Sequence, residues 1–289
     1  PHKKLGKLIV AVEQSELGIL EKLHKNGQRN NVKGLTILDR GAVNRMEPNT
    51  KTIAALYSPD TGIIDSHSLM KYFYNAAKDN GVLFGFNSEV NRLDKESDGF
   101  VIGIQQDDYQ FKSKVVINCA GLSSDYIAKL TGIDIQKSGY ELKYCKGSYF
   151  SYAKSSPVKM LIYPVPHEEL VGLGVHATLD LGGRLRFGPD AEYIDAIEYK
   201  VNADKKDFFY KGASKIIKGL EKDAFVPDMA GIRPKLSGKN ETARDFVIKD
   251  EAEKGLDGLI NLIGIESPGL TASPAIAKVV ADMVSRILS

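Results

Sequence analysis

A chain of 289 residues is long enough to bury a sizeable core, as one large domain or two modest ones. Hydrophobic residues at 43% and charged residues at 26% lie near the averages of globular proteins, which excludes disordered and fibrous classes. Thirty-nine Lys and Arg against 37 Asp and Glu give a formal charge of +2 with no dense basic block, so nucleic acid is not an expected partner.

In chain order, residues 7–12 read as a short strand, followed by a helical pattern through Leu17, Leu20 and Leu23 that ends at Asn26-Gly27. Residues 35–38 are extended, Asp39 caps a short helix toward Met46, and Glu47-Pro48 stops it. After the turn chemistry of Tyr57-Ser58-Pro59-Asp60-Thr61-Gly62, a helix is predicted over 66–80, with Leu69, Tyr72, Phe73 and Ala76 spaced for one buried face. Strands are predicted over 82–86, 89–93 and 100–105, with Asp98-Gly99 as the hairpin turn between the last two. The apolar run over 114–118 reads as a buried parallel strand that passes through Cys119-Ala120-Gly121 into a helix over 125–130.

From 140 to 188 the pattern changes to short, aromatic-rich strands over 146–152, 161–165, 172–176 and 184–187, a second layer with an antiparallel sheet. Tyr149 and Tyr152 read as packing in that sheet. A helix over 205–220 follows, then extended segments over 228–236 and 246–250, a strand over 259–265 and a helix over 271–288. The fold class is α/β (α+β), with one part of strand–turn–helix units containing a buried parallel strand and the other built on a mixed or antiparallel sheet.

Cys119 and Cys145 sit in apolar or aromatic sequence with no CxxC or His-rich neighbourhood, which gives a disulfide or a metal site little support and suits a reducing cytoplasm. No apolar run reaches the roughly 18 to 20 residues of a membrane helix. The longest, 259–265, is interrupted by Asn261 and Gly264, so spanning is not expected, while peripheral attachment at the inner face of a membrane stays open. The N-terminus has neither a starting methionine nor a signal-peptide core, and the chain is expected to begin mid-protein.

One formal phosphate-loop match, Gly172-Leu173-Gly174-Val175-His176-Ala177, leads into the hairpin signal Thr178-Leu179-Asp180-Leu181-Gly182-Gly183-Arg184 and not into a helix, so it reads as strand and turn. The strand–turn–helix junctions over 117–125 and 263–271 are more informative. Each aims consecutive backbone N–H groups from a helix N-terminus, where an anion or an electron-rich ring edge is stabilised, although any α/β crossover also carries small residues at its turns.

The runs Ile162-Tyr163-Pro164-Val165-Pro166, Leu173-Gly174-Val175-His176-Ala177-Thr178 and Gly188-Pro189-Asp190-Ala191 resemble the L-2-hydroxyglutarate dehydrogenases/oxidases of the D-amino-acid-oxidase-like superfamily. Gly6-Lys7-Leu8-Ile9-Val10-Ala11 and Thr61-Gly62-Ile63-Ile64-Asp65 carry the same resemblance, which covers essentially the whole chain. It implies an FAD protein in which a Rossmann-like FAD domain (61–139 and 236–289) is interleaved with a substrate domain (1–60 and 140–235). It places Glu89 and Val90 by the adenosine, and Cys119, Ala120 and Gly121 at the pyrophosphate turn. Gly264, Glu266, Ser267, Pro268, Gly269, Leu270 and Thr271 would run beside the flavin ring. The chain departs from the family in lacking the glycine-rich βαβ unit and its ribose-binding acid, which are expected upstream of Pro1.

Hydride removal from a 2-hydroxy acid requires a fixed cation for the carboxylate, a base for the hydroxyl proton and a flavin over the α-carbon. Arg233, in Gly231-Ile232-Arg233-Pro234, resembles the carboxylate-binding arginine of D-amino-acid and glycine oxidases, and its planar fork suits bidentate binding; a surface ion pair is the alternative. His176, in an apolar strand, suits a general base at neutral pH, or is a satisfied core histidine. Tyr163 and Arg186 are candidates for a far carboxylate, whereas His67 and His167 read as solvated. The resulting expectation is an FAD-dependent oxidation of L-2-hydroxyglutarate or a similar 2-hydroxy acid to the 2-oxo acid, with oxygen or a quinone as electron acceptor. An amine or amino-acid oxidase acting on glycine, sarcosine or a D-amino acid, or a catalytically silent binding fragment, are the alternatives.

Overall fold

The computed structural model describes residues 1–105, 109–166 and 174–289. They form two compact units: Pro1–Val82, Gly147–Glu192 and Glu198–Gly231 in the first, Leu83–Lys146, Tyr193–Ile197 and Ile232–Ser289 in the second. The helix Ser66–Asp79 lies in the first. Unit boundaries fall inside the strands Lys143–Tyr152, Glu192–Ile194 and Phe225–Lys235.

The first unit is built on a mixed sheet. Its central order is Lys143–Tyr152, Leu185–Gly188, His176–Leu179, Leu161–Pro164, Lys7–Ala11, Ala54–Ser58 and Thr36–Asp39. Leu161–Pro164 runs parallel to Lys7–Ala11, and the neighbouring pairs on both sides are antiparallel. Alternation decides which face is core. Leu8, Val10, Phe150, Ile162, Ala177, Leu185 and Phe187 point to one side, where Phe209, Ala213 and Ile216 of the helix Lys206–Ile216 close a buried cluster. Phe150 stacks on Phe209 at 4.7 Å and Phe187 on Phe225 at 4.9 Å. On the opposite face, Ala11, Leu56 and Val165 pack with Leu20 of the helix Leu17–Arg29. Asp39 accepts from Ala42 N at 2.7 Å and starts the helix Arg40–Met46.

The expected strand over 172–176 begins later. Residues 172 and 173 lie outside the described residues, and the strand is His176–Leu179. It turns at 180–183, where Asp180 Oδ1 accepts from Gly182 N and Arg184 N, each at 2.9 Å. The helix Ser66–Asp79, capped by Asp65 accepting from Ser68 N at 3.0 Å, buries none of its residues; Tyr72 and Phe73 are exposed, contrary to expectation. A 3.6-residue period specifies a stripe but not the surface that covers it.

The second unit holds two three-stranded sheets. In one, Val90–Glu96, Gly99–Ile104 and Gln110–Ser113 form an antiparallel meander. Glu96 pairs with Gly99, so the turn is Ser97-Asp98, one residue earlier than predicted. Gly99 serves a different need: a Cβ there would come within 2.4 Å of the Ser113 carbonyl on the third strand, a polar edge that gave no sequence signal. The strand predicted over 82–86 does not form. Val82 N bonds back to Ala77 O, no described strand pairs with the run, and Leu83 is 95% exposed. The other sheet pairs Leu259–Ile263 with Val247–Asp250 antiparallel on one side and with Val116–Asn118 parallel on the other.

A closed polar network runs under that second sheet. Asn118 donates to Asn261 Oδ1 at 2.8 Å and to Ser124 O at 2.7 Å, while Asn261 donates to Glu251 Oε1 at 2.9 Å. Tyr140 Oη donates to the same carboxylate oxygen at 2.7 Å and Lys254 pairs with the other. Burial alone would push the Glu251 carboxyl up, but hydrogen bonds from Lys254, Asn261 and Tyr140 outweigh it and hold it below its usual range.

Candidate functional site

In the second unit the parallel strands Val116–Asn118 and Leu259–Ile263 lie side by side, in register from Leu259 opposite Val116 to Asn261 opposite Asn118. Their carboxyl ends therefore deliver two turns at one edge. The first passes through Cys119 and Ala120, both exposed, to Gly121 at φ +58°, then into the helix Ser124–Leu130. A Cβ on Gly121 would meet open space, and Ser124 Oγ, fully buried, has no hydrogen-bond partner. Cys119 is exposed and Cys145 is buried, and both are free thiols.

The second turn leaves the strand at Gly264, φ +73°, where a Cβ would strike Leu236 at 2.7 Å. Glu266 pairs with Lys235 at 2.7 Å. Ser267, Pro268, Leu270 and Thr271 are exposed, and the helix starts at Gly269, earlier than the predicted 271, so that Gly269, Leu270 and Thr271 form its first turn. No side chain caps it; Gly269 N donates to Glu266 O, which leaves the N–H groups of Leu270 and Thr271 for an acceptor. Pro274 cannot donate to Leu270 O, and Ser273 Oγ takes that carbonyl at 2.9 Å instead. Glu89 and Val90 stand apart from these turns in the sheet order, at the start of Val90–Glu96 in the meander.

Arg233 also belongs to the second unit. It is half-buried, and Nη1 donates to Cys145 Sγ at 3.4 Å. Beside it, Tyr193 donates to Ser237 O at 3.0 Å, and its phenol is pushed up by burial and by neighbouring acidic groups while Arg233 pulls it down. Tyr193 gave no signal in the sequence.

The first unit gathers a different set. His176 pairs in register with Gly188, Thr178 with Arg186, Ile162 with Ala177 and Ile9 with Tyr163. Alternation then puts Lys7, Tyr149, Tyr163, His176, Thr178 and Arg186 on the face turned away from the aromatic core. His176 is 5% exposed, and its ring stacks on Tyr163 with centroids 3.7 Å apart and planes at 13°. Lys7 Nζ lies 5.2 Å from the Tyr163 ring centroid. Burial pushes the Tyr163 phenol up, and Tyr149 adds to this. Tyr152 packs in the core, and Tyr149 packs on the other face, over Gly188 of the neighbouring strand. Three residues of separation put the two rings on opposite faces, and a Cβ on Gly188 would touch the Tyr149 ring at 2.8 Å. Arg186 Nε donates to Asp228 Oδ2 at 2.7 Å, so its charge is already matched. His67 is exposed, and His167 lies outside the described residues.

Two adjacent parallel strand ends that each run through a small-residue turn into a helix are the arrangement found in α/β proteins that bind nucleotide-type cofactors. The chain belongs to the FAD dependent oxidoreductase family, whose model matches residues 1–283. It is 37% identical over 328 residues to an Arabidopsis thaliana protein named L-2-hydroxyglutarate dehydrogenase, mitochondrial, covering 99% of this chain and 67% of that protein. A Caloramator mitchellensis glycerol 3-phosphate dehydrogenase is 32% identical over 292 residues, covering 99% and 58%. The chain thus spans about two thirds or less of the length of these two relatives. Among solved structures, the FAD-bound L-alpha-glycerophosphate oxidase of Mycoplasma pneumoniae matches with a TM-score of 0.83 at 26% identity, over 100% of this chain and 73% of that one.

The residues present fit FAD. The open space at Gly121, the unpartnered Ser124 hydroxyl and the uncapped helix at Gly269 are donors and room at one strand edge. Among the described residues no group of three or more His, Cys, Asp or Glu could hold a metal ion.

Proposed function

We propose that the protein oxidises L-2-hydroxyglutarate, or a similar 2-hydroxy acid, to the corresponding 2-oxo acid. The observation that carries this reading is His176, buried on the polar sheet face and held by its stack on Tyr163, in a chain similar to L-2-hydroxyglutarate dehydrogenases. Bound FAD supplies the two-electron acceptor of such a reaction. His176 takes the proton of the substrate hydroxyl, and the Tyr163 ring fixes the imidazole plane for that transfer. Arg233 holds the carboxylate on C1 through its planar guanidinium. The backbone amides of Gly121, Leu270 and Thr271 hold the cofactor's anionic part.

Oxygen or a quinone takes the electrons onward, and the cellular setting of this reading is the cytoplasm, peripherally at a membrane where the acceptor is a quinone. Among the described residues, no helix is long and apolar enough to cross a membrane. Glycerol 3-phosphate is the second reading, supported by the similarity to the Caloramator and Mycoplasma proteins. The test is steady-state turnover of the flavin-loaded enzyme on L-2-hydroxyglutarate, glycerol 3-phosphate and glycine, with 2-oxoglutarate measured as product. A specificity constant highest for L-2-hydroxyglutarate supports the first reading; one highest for glycerol 3-phosphate or glycine removes it.

A further inference from the structure

Lys7 is the least expected charge in the first unit. It sits in the strand Lys7–Ala11, whose other four residues are apolar, and it is partly withdrawn from water. No carboxylate among the described residues pairs with it, and its ammonium lies against the Tyr163 ring. A half-buried ammonium without a counter-ion costs stability, which a fold avoids unless an anion arrives from outside. Burial accordingly pushes its pKa down.

The sheet order places this charge beside the chemistry. Leu161–Pro164 is flanked by Lys7–Ala11 on one side and by His176–Leu179 on the other. Tyr163, on the middle strand, therefore stands between the Lys7 ammonium and the His176 imidazole, stacked on the second and within cation–π reach of the first. Arg186, on the same face, is matched by Asp228 and has less charge to offer. The row Lys7, Tyr163, His176 thus presents an anion holder and a proton acceptor across one aromatic ring.

We propose that Lys7 is the subsite for the substrate's second anionic group, the one remote from the carbon being oxidised. It is a specificity-determining residue, and the assignment rests on the reading of the protein as a hydroxy-acid oxidoreductase. In L-2-hydroxyglutarate that group is the C5 carboxylate; in glycerol 3-phosphate it is the phosphate. The ammonium attracts either as a point charge, and the ring beneath it limits how far the anion can approach.

The experiment compares the flavin-loaded wild type with Lys7→Met, which keeps length and apolar bulk, and Lys7→Arg, which keeps charge. Each is assayed on L-2-hydroxyglutarate and on L-2-hydroxyvalerate, which carries a methyl in place of the far carboxylate, and on glycerol 3-phosphate. Stabilisation of the melting midpoint by glutarate against valerate gives a readout independent of turnover. The expected result is that Lys7→Met lowers the wild-type preference for hydroxyglutarate over hydroxyvalerate by on the order of 10- to 100-fold. The extra stabilisation by glutarate disappears with it, and Lys7→Arg restores most of both.

A preference ratio retained in Lys7→Met, whether both substrates fall together or neither changes, overturns the assignment while leaving the hydroxy-acid reading intact. A wild type that prefers glycerol 3-phosphate, with that preference lost in Lys7→Met, keeps the subsite and overturns the hydroxy-acid reading. A wild type that uses none of the three substrates removes both.

Discussion

Glu251 of the second unit and Lys7 of the first are both charges drawn away from water, and they are treated in opposite ways. Glu251, fully buried, receives Asn261 and Tyr140 on one oxygen and Lys254 on the other, and Asn118 extends the chain of bonds to Ser124. Lys7 meets an aromatic face and no carboxylate among the described residues. A buried polar group closed by its own neighbours fixes a scaffold, here the alignment of the two parallel strands that deliver the turns at 119–121 and 264–271. One left open is a demand on a ligand.

The largest expected effect tests the open side of that contrast. His176→Phe keeps an aromatic ring against Tyr163 but cannot accept a proton, so anaerobic stopped-flow bleaching of the flavin by L-2-hydroxyglutarate should slow by on the order of 10²- to 10⁴-fold. The melting midpoint should stay near that of wild type. A variant that melts far lower yet reduces at the wild-type rate would return His176 to the core and erase the contrast.

Glu251→Ala tests the closed side. It orphans the Asn261 amide and the Tyr140 hydroxyl, buried donors that cost about 1–3 kcal/mol each, so urea unfolding should report a loss of about 2–6 kcal/mol. Substrate specificity should be unchanged among molecules that remain folded. A loss under about 1 kcal/mol would mean that the network does not hold the second unit together.

Arg233→Lys tests a residue between these extremes, half-buried yet partnered by the Cys145 sulfur. The point charge survives and the bidentate fork is lost, so kcat/KM should fall about 10- to 100-fold with little change in unfolding free energy. Equal kinetics would take Arg233 out of substrate binding.

The smallest effect concerns pH. Because the folded Glu251 carboxyl titrates below its unfolded counterpart, its contribution to stability is complete above the unfolded value, about 4.3, and declines as pH falls through the folded one. The stability difference between wild type and Glu251→Gln should therefore be constant from neutral pH down to roughly 5 and shrink below about 4. A difference that grows toward acid would reverse the sign of the shift.

The sequence by itself determined the local elements and the chemistry on offer. Strand alternation at 7–11, the Asp39 and Asp65 caps, and the small-residue turns after two apolar strands follow from near-neighbour sterics and hydrogen bonding, which act within a few residues. Residue chemistry singled out His176, the strand–turn–helix pattern singled out both turn segments, and the family resemblance pointed to Arg233.

Only the tertiary structure decided what each side chain meets. Arg186 is neutralised by Asp228, 42 residues away; the exposed face of Ser66–Asp79 has the same periodicity as a buried one; and Gly99 answers to the Ser113 carbonyl of a strand that gave no signal. Lys7 and His176 are 169 positions apart in the chain, yet both lie on one sheet face beside Tyr163 because a parallel and an antiparallel pairing bring their strands to either side of Leu161–Pro164. Register between distant strands is set by which apolar face the whole sheet buries, a sum over many weak contacts that no local window contains.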